Sequence, residues 1–345
     1  MLNFDGLADS FTRRYPERLI TIDSHTQGEP TRLLLNFPAL PGTTVAEKRD
    51  AFSRRHDHIR TLLTCEPRGH RDMFAAVITE PVTPGASFGL IYMDARRYPY
   101  LCGHATIGAV TALVETGAIS TKDGNRIITV DTPSGPLSAH TRIRHGRVES
   151  VGLDMVPSFV LQTGCRINVT GFGEIPLDLV CVGGFFAMVS AASIGLKLPS
   201  ANSQELISLG MAIIDAANRM LQVHHPERPE VTTIDVAEFY SEAEDSKNGT
   251  SVVIYGESHM DRSPCGTGTT AKMTLLHHQG KLQPGQVYRN SSPLGTTFTG
   301  EIIDQPQIGQ FQGITARIHG SAAITGYHQF VVDPQDPFPQ GFLVV

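Results

Sequence analysis

A turn built around a cysteine occurs twice in this chain, and the repeat constrains the fold more than any other feature of the sequence. The second copy reads Asp-Arg-Ser-Pro-Cys-Gly-Thr-Gly-Thr over residues 261–269, and the first reads Leu-Cys-Gly-His-Ala-Thr over 101–106. Aligned on the cysteines without a gap, the segments agree at Cys102/Cys265, Gly103/Gly266, Thr106/Thr269, Thr111/Thr274, Leu113/Leu276 and Gly117/Gly280. A repeat in one register that ends at a helix-stopping glycine predicts an internal duplication.

Each of these cysteines stands just before a run of residues that is typical of a helix. The N-terminus of a helix offers free backbone N–H groups and the positive end of the helix dipole, and both favour a thiolate over a thiol. We therefore expect two similar halves, each of which offers one helix-capped cysteine to a shared cleft. The pKa of each thiol is expected to be brought towards neutrality.

The length of 345 residues suits two domains of ordinary size. We place the boundary near His145-Gly146, so that a first domain over 1–145 carries Cys102 and a second domain over 146–325 carries Cys265. Predicted strands outnumber predicted helices, and hairpins connect many of them, which indicates an α+β fold rather than a doubly wound sheet.

Composition excludes several classes of protein. The net charge is −6 and no basic block is present, so nucleic acid is not an expected partner. No apolar run approaches the roughly 20 residues that a membrane helix needs, and the polar N-terminus does not resemble a secretory signal. The five cysteines are odd in number and form no C-x-x-C pair, which argues against a disulfide scaffold or a zinc ribbon and favours a cytoplasmic enzyme.

Helices are predicted from capping and periodicity. Thr44, with Glu47 three residues on, predicts a capping box for a helix over 44–64. Further helices are predicted over about 106–115, 203–223 and 271–278. The apolar faces predicted to be buried are Val45, Phe52, Ile59, Leu62 and Leu63 in the first helix and Leu206, Leu209, Ile213, Ala217 and Met220 in the third.

Strands are predicted from alternation of apolar and polar residues between glycine- and proline-rich turns. In the first half they cover 18–24, 31–37, 73–79, 88–93, 127–131, 137–144 and 148–155. In the second half they cover 177–182, 185–190, 232–240, 250–255, 298–303, 314–318 and 322–332. Both halves therefore run in the same order, from strands to a long helix, further strands, a cysteine turn and a shorter helix.

Two thiols related by approximate symmetry suit the inversion of a carbon that carries an acidic proton. Inversion needs a base on one face and an acid on the other, and residues of one type supply both for either hand of the substrate. The backbone N–H groups of Gly103, His104, Gly266 and Thr267 form anion nests that suit a carboxylate. Asp261, four residues before Cys265, suits a substrate ammonium. This chemistry requires neither a metal nor a cofactor.

Other interpretations of the same residues stay open at this point. Cys102 and His104 could be two ligands of a metal, although C-x-H is an uncommon spacing. Cys265 could be the nucleophile of a hydrolase, with Asp261 or His104 beside it, which leaves the first cysteine turn unexplained. Residues 266–272 resemble a phosphate loop without satisfying its pattern. A binding protein without catalysis would use the same cleft.

The remaining cysteines lack the glycine-threonine context of the repeated turn. Cys65, Cys165 and Cys181 are therefore predicted to be packed in the core.

Four separate motifs resemble the proline racemase family, which includes proline racemases, 4-hydroxyproline 2-epimerases and trans-3-hydroxyproline dehydratases. They are Asp23-Ser-His-Thr-Gln-Gly-Glu-Pro-Thr-Arg32, Glu66-Pro-Arg-Gly-His-Arg-Asp-Met73, Cys102-Gly-His104 and Asp261-Arg-Ser-Pro-Cys-Gly-Thr-Gly-Thr269. The resemblance continues through 320–326 and Asp336-Pro337. It implies a diaminopimelate-epimerase-like fold with two pseudo-symmetric domains, each a mixed sheet wrapped around a central helix. It further implies that residues 326–345 return to the first domain, and that the enzyme is a homodimer without a cofactor.

The resemblance also implies roles for individual residues. Cys102 and Cys265 match the two acid/base thiols of the family, His104 and Asp261 match the residues that flank them, and Asp261 faces the substrate amine. The amides of Gly103, His104, Gly266 and Thr267 match those around the substrate carboxylate. The dehydratases have lost one thiol, whereas this chain keeps both, which favours racemisation of proline or epimerisation of 4-hydroxyproline over dehydration.

Two segments depart from the family pattern. Before the first cysteine, where the family has a glycine-rich stretch, this chain has Asp-Ala-Arg-Arg-Tyr-Pro-Tyr-Leu over 94–101. In the second half the family's aromatic-Gly-Gly segment reads Cys-Val-Gly-Gly-Phe over 181–185. Both segments are expected to border the ring of the substrate. Arg96 and Arg97 are expected to face solvent or, alternatively, to recruit a more polar substrate.

Overall fold

The computed structural model describes residues 4–198, 202–242, 247–256 and 258–344. In these residues the α-helices are α1 (Leu7–Arg14), α2 (Val45–Thr64), α3 (Gly103–Glu115), α4 (Ser203–Met220) and α5 (Gly266–His278). The strands of the first half are β1 (Leu19–Thr26), β2 (Glu29–Leu34), β3 (Phe74–Thr79), β4 (Phe88–Asp94), β5 (Gly124–Thr132), β6 (Gly135–Arg144) and β7 (Arg147–Asp154).

The later strands are β8 (Ser158–Val169), β9 (Gly173–Val182), β10 (Gly184–Ser190), β11 (Ile234–Glu242), β12 (Asn248–Tyr255), β13 (His259–Met260), β14 (Val287–Ser291), β15 (Thr297–Asp304), β16 (Gln307–Ile308), β17 (Phe311–Gly320) and β18 (Ala322–Phe330). A single turn of 3₁₀ helix follows β10.

Strand pairing repeats between the two halves. In the first, β2 runs parallel to β3 across α2, β3 pairs antiparallel with β4, and β4 runs parallel to β5 across α3. In the second, β10 runs parallel to β11 across α4, β11 pairs antiparallel with β12, and β12 runs parallel to β14 across α5. The same alternation therefore delivers α3 and α5 at equivalent places, as the duplicated cysteine turn predicts.

The helices that follow the two cysteines are buried on nearly every side. In α3 every residue from His104 to Val114 is buried, and in α5 every residue from Gly266 to Leu276 is buried except Thr267. A helix that is buried all round is a core element around which a sheet is wrapped. By contrast, α2 and α4 bury one face each, against β3–β4 and β11–β12.

The sequence predicts the starts of both central helices too late in the chain. The sequence predicts starts near residues 106 and 271, whereas α3 begins at Gly103 and α5 at Gly266. Glycine and threonine have low helix propensity, but tertiary packing overrides propensity in a buried helix. Each cysteine is therefore the N-cap residue itself.

Elsewhere the predicted elements need smaller corrections. The third predicted helix ends at Met220 rather than 223, because Leu221 has extended backbone, and Met220 is 52% exposed instead of buried. The sequence does not predict helix α1 or the strands β8, β13, β14 and β16. In β8 the pairing with β9 shifts register twice between Val160 and Cys165, which breaks the alternation that reveals a strand.

The capping of α2 is confirmed with one difference. The side chain of Thr44 accepts from the N–H of Glu47 at 3.1 Å. The Glu47 carboxylate accepts from the N–H of Thr43 at 2.7 Å, one residue before the cap. Of the predicted apolar face, Ile59 is partly buried, and Val45, Phe52, Leu62 and Leu63 are buried.

The C-terminal part of the chain lies against the first half. Strand β18 pairs antiparallel with β1, the guanidinium of Arg68 contacts Asp336 at 2.6 Å, and Phe342 forms a bridge with Glu66. His145 and Gly146 form the left-handed two-residue turn between β6 and β7. The division of the chain into domains at this turn stays a prediction. No helix in the described parts of the chain is long and apolar enough to cross a membrane.

Candidate active site

The N-terminus of α3 presents the first cysteine. Cys102 is the N-cap residue, it is buried, and its Sγ accepts from the N–H of Ala105 at 3.4 Å. The ring Nδ1 of His104 lies 3.2 Å from this Sγ. Burial lowers the pKa of His104 to about 4, so the imidazole is neutral near pH 7.

The N-terminus of α5 presents the second cysteine in a matching way. Cys265 is the N-cap residue, it is half-buried, and its Sγ accepts from the N–H of Gly268 at 3.4 Å. The hydroxyl of Thr267 lies 3.4 Å from the sulfur. The backbone of Cys265 is left-handed, with φ of +59°, which is unfavourable for a residue with a Cβ and has to be held by its surroundings.

The two helix N-termini meet. A Cβ added to Gly103 would lie 3.9 Å from the Cα of Gly266, and a Cβ added to Gly266 would lie 3.9 Å from the Cα of Gly103. The first turns of α3 and α5 therefore abut, and the fold brings Cys102, Gly103, His104, Cys265, Gly266 and Thr267 to one place. Two helix N-termini that converge are a strong site for an anion.

Asp261 belongs to the same cluster. It is buried, and its Oδ1 accepts from the N–H and the hydroxyl of Ser263 at 2.8 Å and 2.7 Å. Burial, followed by the negative charge of Glu29, raises the pKa of Asp261 to about 7. Because its charge also raises the pKa of both Cys102 and Cys265, the carboxyl lies within electrostatic reach of the two thiols.

The thiols themselves are less acidic than the sequence predicts. Burial raises the pKa of Cys102 and of Cys265 well above the ordinary value, and the charge of Asp261 acts in the same direction. The N–H bonds from Ala105 and Gly268 oppose this effect but do not outweigh it. The prediction of thiol pKa values near neutrality is therefore wrong for this arrangement of the site.

Beside Asp261 lies a buried ionic network that the sequence analysis did not identify. The wholly buried Glu29, from the turn end of β2, contacts the Nε2 of His259 at 2.8 Å and accepts from the N–H of Arg262 at 2.8 Å. The guanidinium of Arg262 contacts Asp72 at 2.7 Å. These contacts join the first half of the chain to the segment that carries Asp261.

The charge states of this network follow from mutual stabilisation. Burial disfavours both ions, yet the His259 imidazolium holds the pKa of Glu29 below its usual range, and Glu29 holds the pKa of His259 above its own. The two side chains are therefore a buried ion pair near pH 7. Glu29 and Asp72 lie within two of the motifs that carry the family resemblance, and this position is the sequence feature that marks them as candidate site residues. Nothing in the sequence separates His259 from its neighbours.

The two segments that depart from the family pattern have different surroundings. Arg97 is 44% exposed, pairs with Asp94 at 3.2 Å, and stands 5.4 Å from the ring of Tyr255. Tyr255 in turn stacks on His259 with ring centroids 4.5 Å apart. Cys181 is wholly buried in the core between β8–β10 and α4.

The other cysteines are structural, as the sequence predicts. Cys65, Cys165 and Cys181 are all buried and unpaired. Among the residues that the structure describes, no group of three or more His, Cys, Asp or Glu side chains is placed to hold a metal.

Comparison with known proteins agrees with this geometry. The family model described as "Proline racemase" matches residues 21–343. A proline racemase of Clostridioides difficile is 37% identical over 333 residues, covering 96% of this chain and 99% of that protein. A 4-hydroxyproline 2-epimerase of Streptosporangium roseum is 36% identical over 324 residues, covering 94% and 97%.

A solved structure supports the same assignment. The hydroxyproline epimerase of Agrobacterium vitis, crystallised with bound trans-4-hydroxy-L-proline, superposes with a TM-score of 0.87 at 28% identity and covers 96% of each chain. This confirms the predicted α+β, diaminopimelate-epimerase-like fold. The chain is therefore an isomerase of the racemase and epimerase type and belongs to the proline racemase family.

Proposed function

We propose that this chain is a cofactor-independent racemase that inverts Cα of proline with Cys102 and Cys265 as its acid/base pair. The observation that carries the proposal is the meeting of two helix N-termini, each capped by a cysteine, at Gly103 and Gly266. Two helix N-termini that meet offer N–H groups for a carboxylate, and we propose that one sulfur lies on either side of the carbon next to it.

The proposed reaction removes one proton from Cα and adds one proton to the opposite face of the same carbon. The thiolate of one cysteine takes the proton from Cα, and the electron pair left behind spreads into the carboxylate. The thiol of the other cysteine gives its proton to the opposite face of Cα. The product has the other hand, the first sulfur is now the thiol, and the second is the thiolate. Starting from the other enantiomer exchanges the two roles.

The N–H groups of Gly103, His104, Gly266 and Thr267 are proposed to hold the carboxylate. Hydrogen bonds from these groups strengthen as negative charge develops on it, which lowers the barrier to removal of the proton. The repulsion that Asp261 exerts on both sulfurs has to be removed for a thiolate to form. A substrate ammonium beside Asp261 does this, since its positive charge neutralises the carboxylate and favours the thiolate.

A second candidate is the epimerisation of 4-hydroxyproline. It is favoured by the solved structure with bound trans-4-hydroxy-L-proline and by the epimerase of Streptosporangium roseum. Both activities use the same thiols, so they differ only in the pocket for the ring. Dehydration of trans-3-hydroxyproline is disfavoured because both cysteines are present.

We further propose that the enzyme is a homodimer and acts in the cytoplasm. The support for the second statement is that all five cysteines are unpaired, which suits a reducing compartment. The domain division at 145/146, with residues 326–345 joined to the first domain, is proposed on the repeated strand order and on the pairing of β18 with β1.

The test is incubation of the purified protein with L-proline and with trans-4-hydroxy-L-proline in D₂O. Inversion followed by polarimetry should be accompanied by entry of deuterium at Cα. Cys102→Ser and Cys265→Ser should each abolish inversion, because a hydroxyl is too weak an acid to replace the thiol. Cys165→Ser, in strand β8 instead of at a helix N-terminus, is the matched control and should remain active.

Two results would contradict the proposal. Formation of a pyrroline from trans-3-hydroxyproline without inversion of proline would make the chain a dehydratase. Tight binding of pyrrole-2-carboxylate, a planar mimic of the carbanion, without any exchange at Cα would indicate a binding protein.

A further inference from the structure

A wholly buried glutamate on β11 lies behind the second cysteine turn. One oxygen of Glu238, Oε1, is 2.6 Å from the hydroxyl of Ser251 on β12. That hydroxyl is 3.3 Å from the Oδ1 of Asn290 on β14. The amide nitrogen of Asn290 donates to the carbonyl of Pro264 at 3.1 Å and to the hydroxyl of Thr269 at 3.0 Å.

Counting hydrogens along this chain indicates that the glutamate is neutral. The Pro264 carbonyl can only accept, so it fixes the amide of Asn290 with its oxygen towards Ser251. The Ser251 hydroxyl has a single hydrogen and stands between this oxygen and Glu238. A carboxylate at Glu238 would leave one of the two acceptors without a donor. A neutral carboxylic acid donates to Ser251, which then donates to Asn290, and every contact is satisfied.

Two further observations agree with a neutral acid. The second oxygen of Glu238, Oε2, is buried and has no hydrogen-bond partner among the described residues, which costs far less for an acid than for a carboxylate. Burial also raises the pKa of Glu238 to about 8. The hydrogen-bond chain and the burial therefore describe the same protonated state.

The chain ends on the backbone that carries the catalytic sulfur. Pro264 immediately precedes Cys265, whose left-handed backbone needs external support. The Oε2 of Glu238 lies against the first turn of α5, since a Cβ added to Gly268 would meet it at 3.0 Å and the Cβ of Cys265 at 3.2 Å. A negative charge on Glu238 raises the pKa of Cys265.

Among the residues that the structure describes, the other charged groups that act on Glu238 belong to α5 and the loop before it. Lys272 favours ionisation of Glu238 and stands with its amine 3.4 Å from the ring centre of Tyr240, whereas Asp261 disfavours ionisation. The cross-strand neighbours, Met188 on β10 and Val253 on β12, carry no charge.

We propose that Glu238 is a positioning residue for Cys265. As a neutral acid it begins the hydrogen-bond chain that holds the Pro264 carbonyl and the turn in place. Its ionisation reverses the bond to Ser251, leaves Asn290 without a donor, and puts a negative charge behind the sulfur. The proposal rests on the proposed function only in taking Cys265 as an acid/base group.

The test measures alkylation of Cys265 by iodoacetamide as a function of pH, with the modified peptide followed by mass spectrometry. In the unaltered protein the rate should rise less steeply above about pH 8, as Glu238 ionises. Glu238→Gln keeps a donor towards Ser251 and cannot ionise. At about pH 9.5 its Cys265 should react roughly tenfold faster than that of the unaltered protein, since one like charge raises a thiol pKa by about one unit or more. The exposed Glu174→Gln is the matched control and should leave the profile unchanged.

Two variants break the chain instead of preserving it. Glu238→Leu removes the donor to Ser251, Ser251→Ala removes the donor to Asn290, and both should lower kcat for inversion at pH 7 by more than Glu238→Gln does. Coincident alkylation profiles for the unaltered protein and Glu238→Gln would overturn the proposal, as would equal kcat values for Glu238→Leu and Glu238→Gln. If Glu238→Leu fails to fold, Ser251→Ala makes the same comparison. Alkylation needs no substrate, so its result stands even if the protein proves inactive on proline.

Discussion

Asp261→Asn tests the electrostatics of the site most directly. Burial and the charge of Glu29 raise the folded-state pKa of Asp261 from 3.8 to about 7. Between these values the folded protein keeps a proton on Asp261 that the unfolded chain has lost. The stability gained from this proton is complete below pH 3.8 and is lost as the pH rises through 7, so the free energy of unfolding falls across that window. Asparagine has no proton to lose, and its variant lacks this fall.

The magnitude follows from the size of the shift. One pKa unit corresponds to about 1.4 kcal/mol, so a shift of roughly three units corresponds to about 4 kcal/mol over the whole window. Between about pH 5 and about pH 8 roughly two of these units are crossed, which predicts that the unaltered protein loses about 3 kcal/mol relative to Asp261→Asn.

Urea unfolding at these two pH values measures the effect. The difference in unfolding free energy between Asp261→Asn and the unaltered protein should increase with pH by about 3 kcal/mol. Asp215→Asn, on the exposed face of α4, is the control and should show a constant difference. An equally constant difference for Asp261→Asn would refute the reasoning, because the carboxyl would then be ionised alike in both states.

The same shift predicts proton release when an amine binds. An ammonium beside Asp261 lowers its pKa again, so L-proline should release up to one proton on binding at about pH 6. Pyrrole-2-carboxylate has no ammonium and should release none. Calorimetry in two buffers of different ionisation enthalpy gives the number of protons, and equal release with both ligands would contradict the placement of the amine at Asp261.

Three further substitutions distinguish the active site from the rest of the fold. A Cβ added to Gly266 meets its neighbours no closer than 3.7 Å, so Gly266→Ala should keep its melting temperature yet lose inversion, because the methyl enters the space between the helix N-termini. At Gly268 the added Cβ would lie 2.9 Å from Val253, and Gly268→Ala should cost about 1–3 kcal/mol of stability in a thermal melt. Glu29→Gln removes the nearer carboxylate of the buried His259 and leaves only Asp72, 3.8 Å away, so it should cost up to about 5 kcal/mol in urea unfolding. Wild-type stability in Gly268→Ala or Glu29→Gln, or wild-type inversion in Gly266→Ala, would refute the corresponding step.

The repeated features of the fold were predictable because they leave a repeated signal. A cysteine, a glycine and a threonine in the same register twice predict two equivalent helices, and α3 and α5 are found at equivalent crossovers. The starts of these helices were not predictable, since residues 266–270 have low helix propensity and are helical through burial. Strand β8 was missed for the opposite reason, as its irregular pairing removes the alternation.

The buried charges were not predictable from spacing. Glu29 and His259 lie far apart in the sequence, and their pairing depends on how β2 and β13 approach each other in the folded chain. The protonation state of Glu238 is still harder to predict from sequence, because it depends on the directions of the hydrogen bonds through Ser251 and Asn290. A sequence pattern shows which side chains are present. The pairing of buried charges and the protonation of Glu238 depend instead on which groups lie next to each other in the folded chain.

Duplication accounts for the two thiols but not for the groups around them. Four residues before Cys265 stands Asp261, whereas Tyr98 stands four residues before Cys102. The repeat therefore has an acidic group at only one of these two equivalent positions. In the proposed reaction the carboxylate lies between the two helices and the amine lies at Asp261, and both places are the same for either enantiomer. The hand of the substrate then decides only which sulfur faces the proton on Cα. A symmetric pair of sulfurs and a single asymmetric anchor are together what a reversible inversion at one carbon requires.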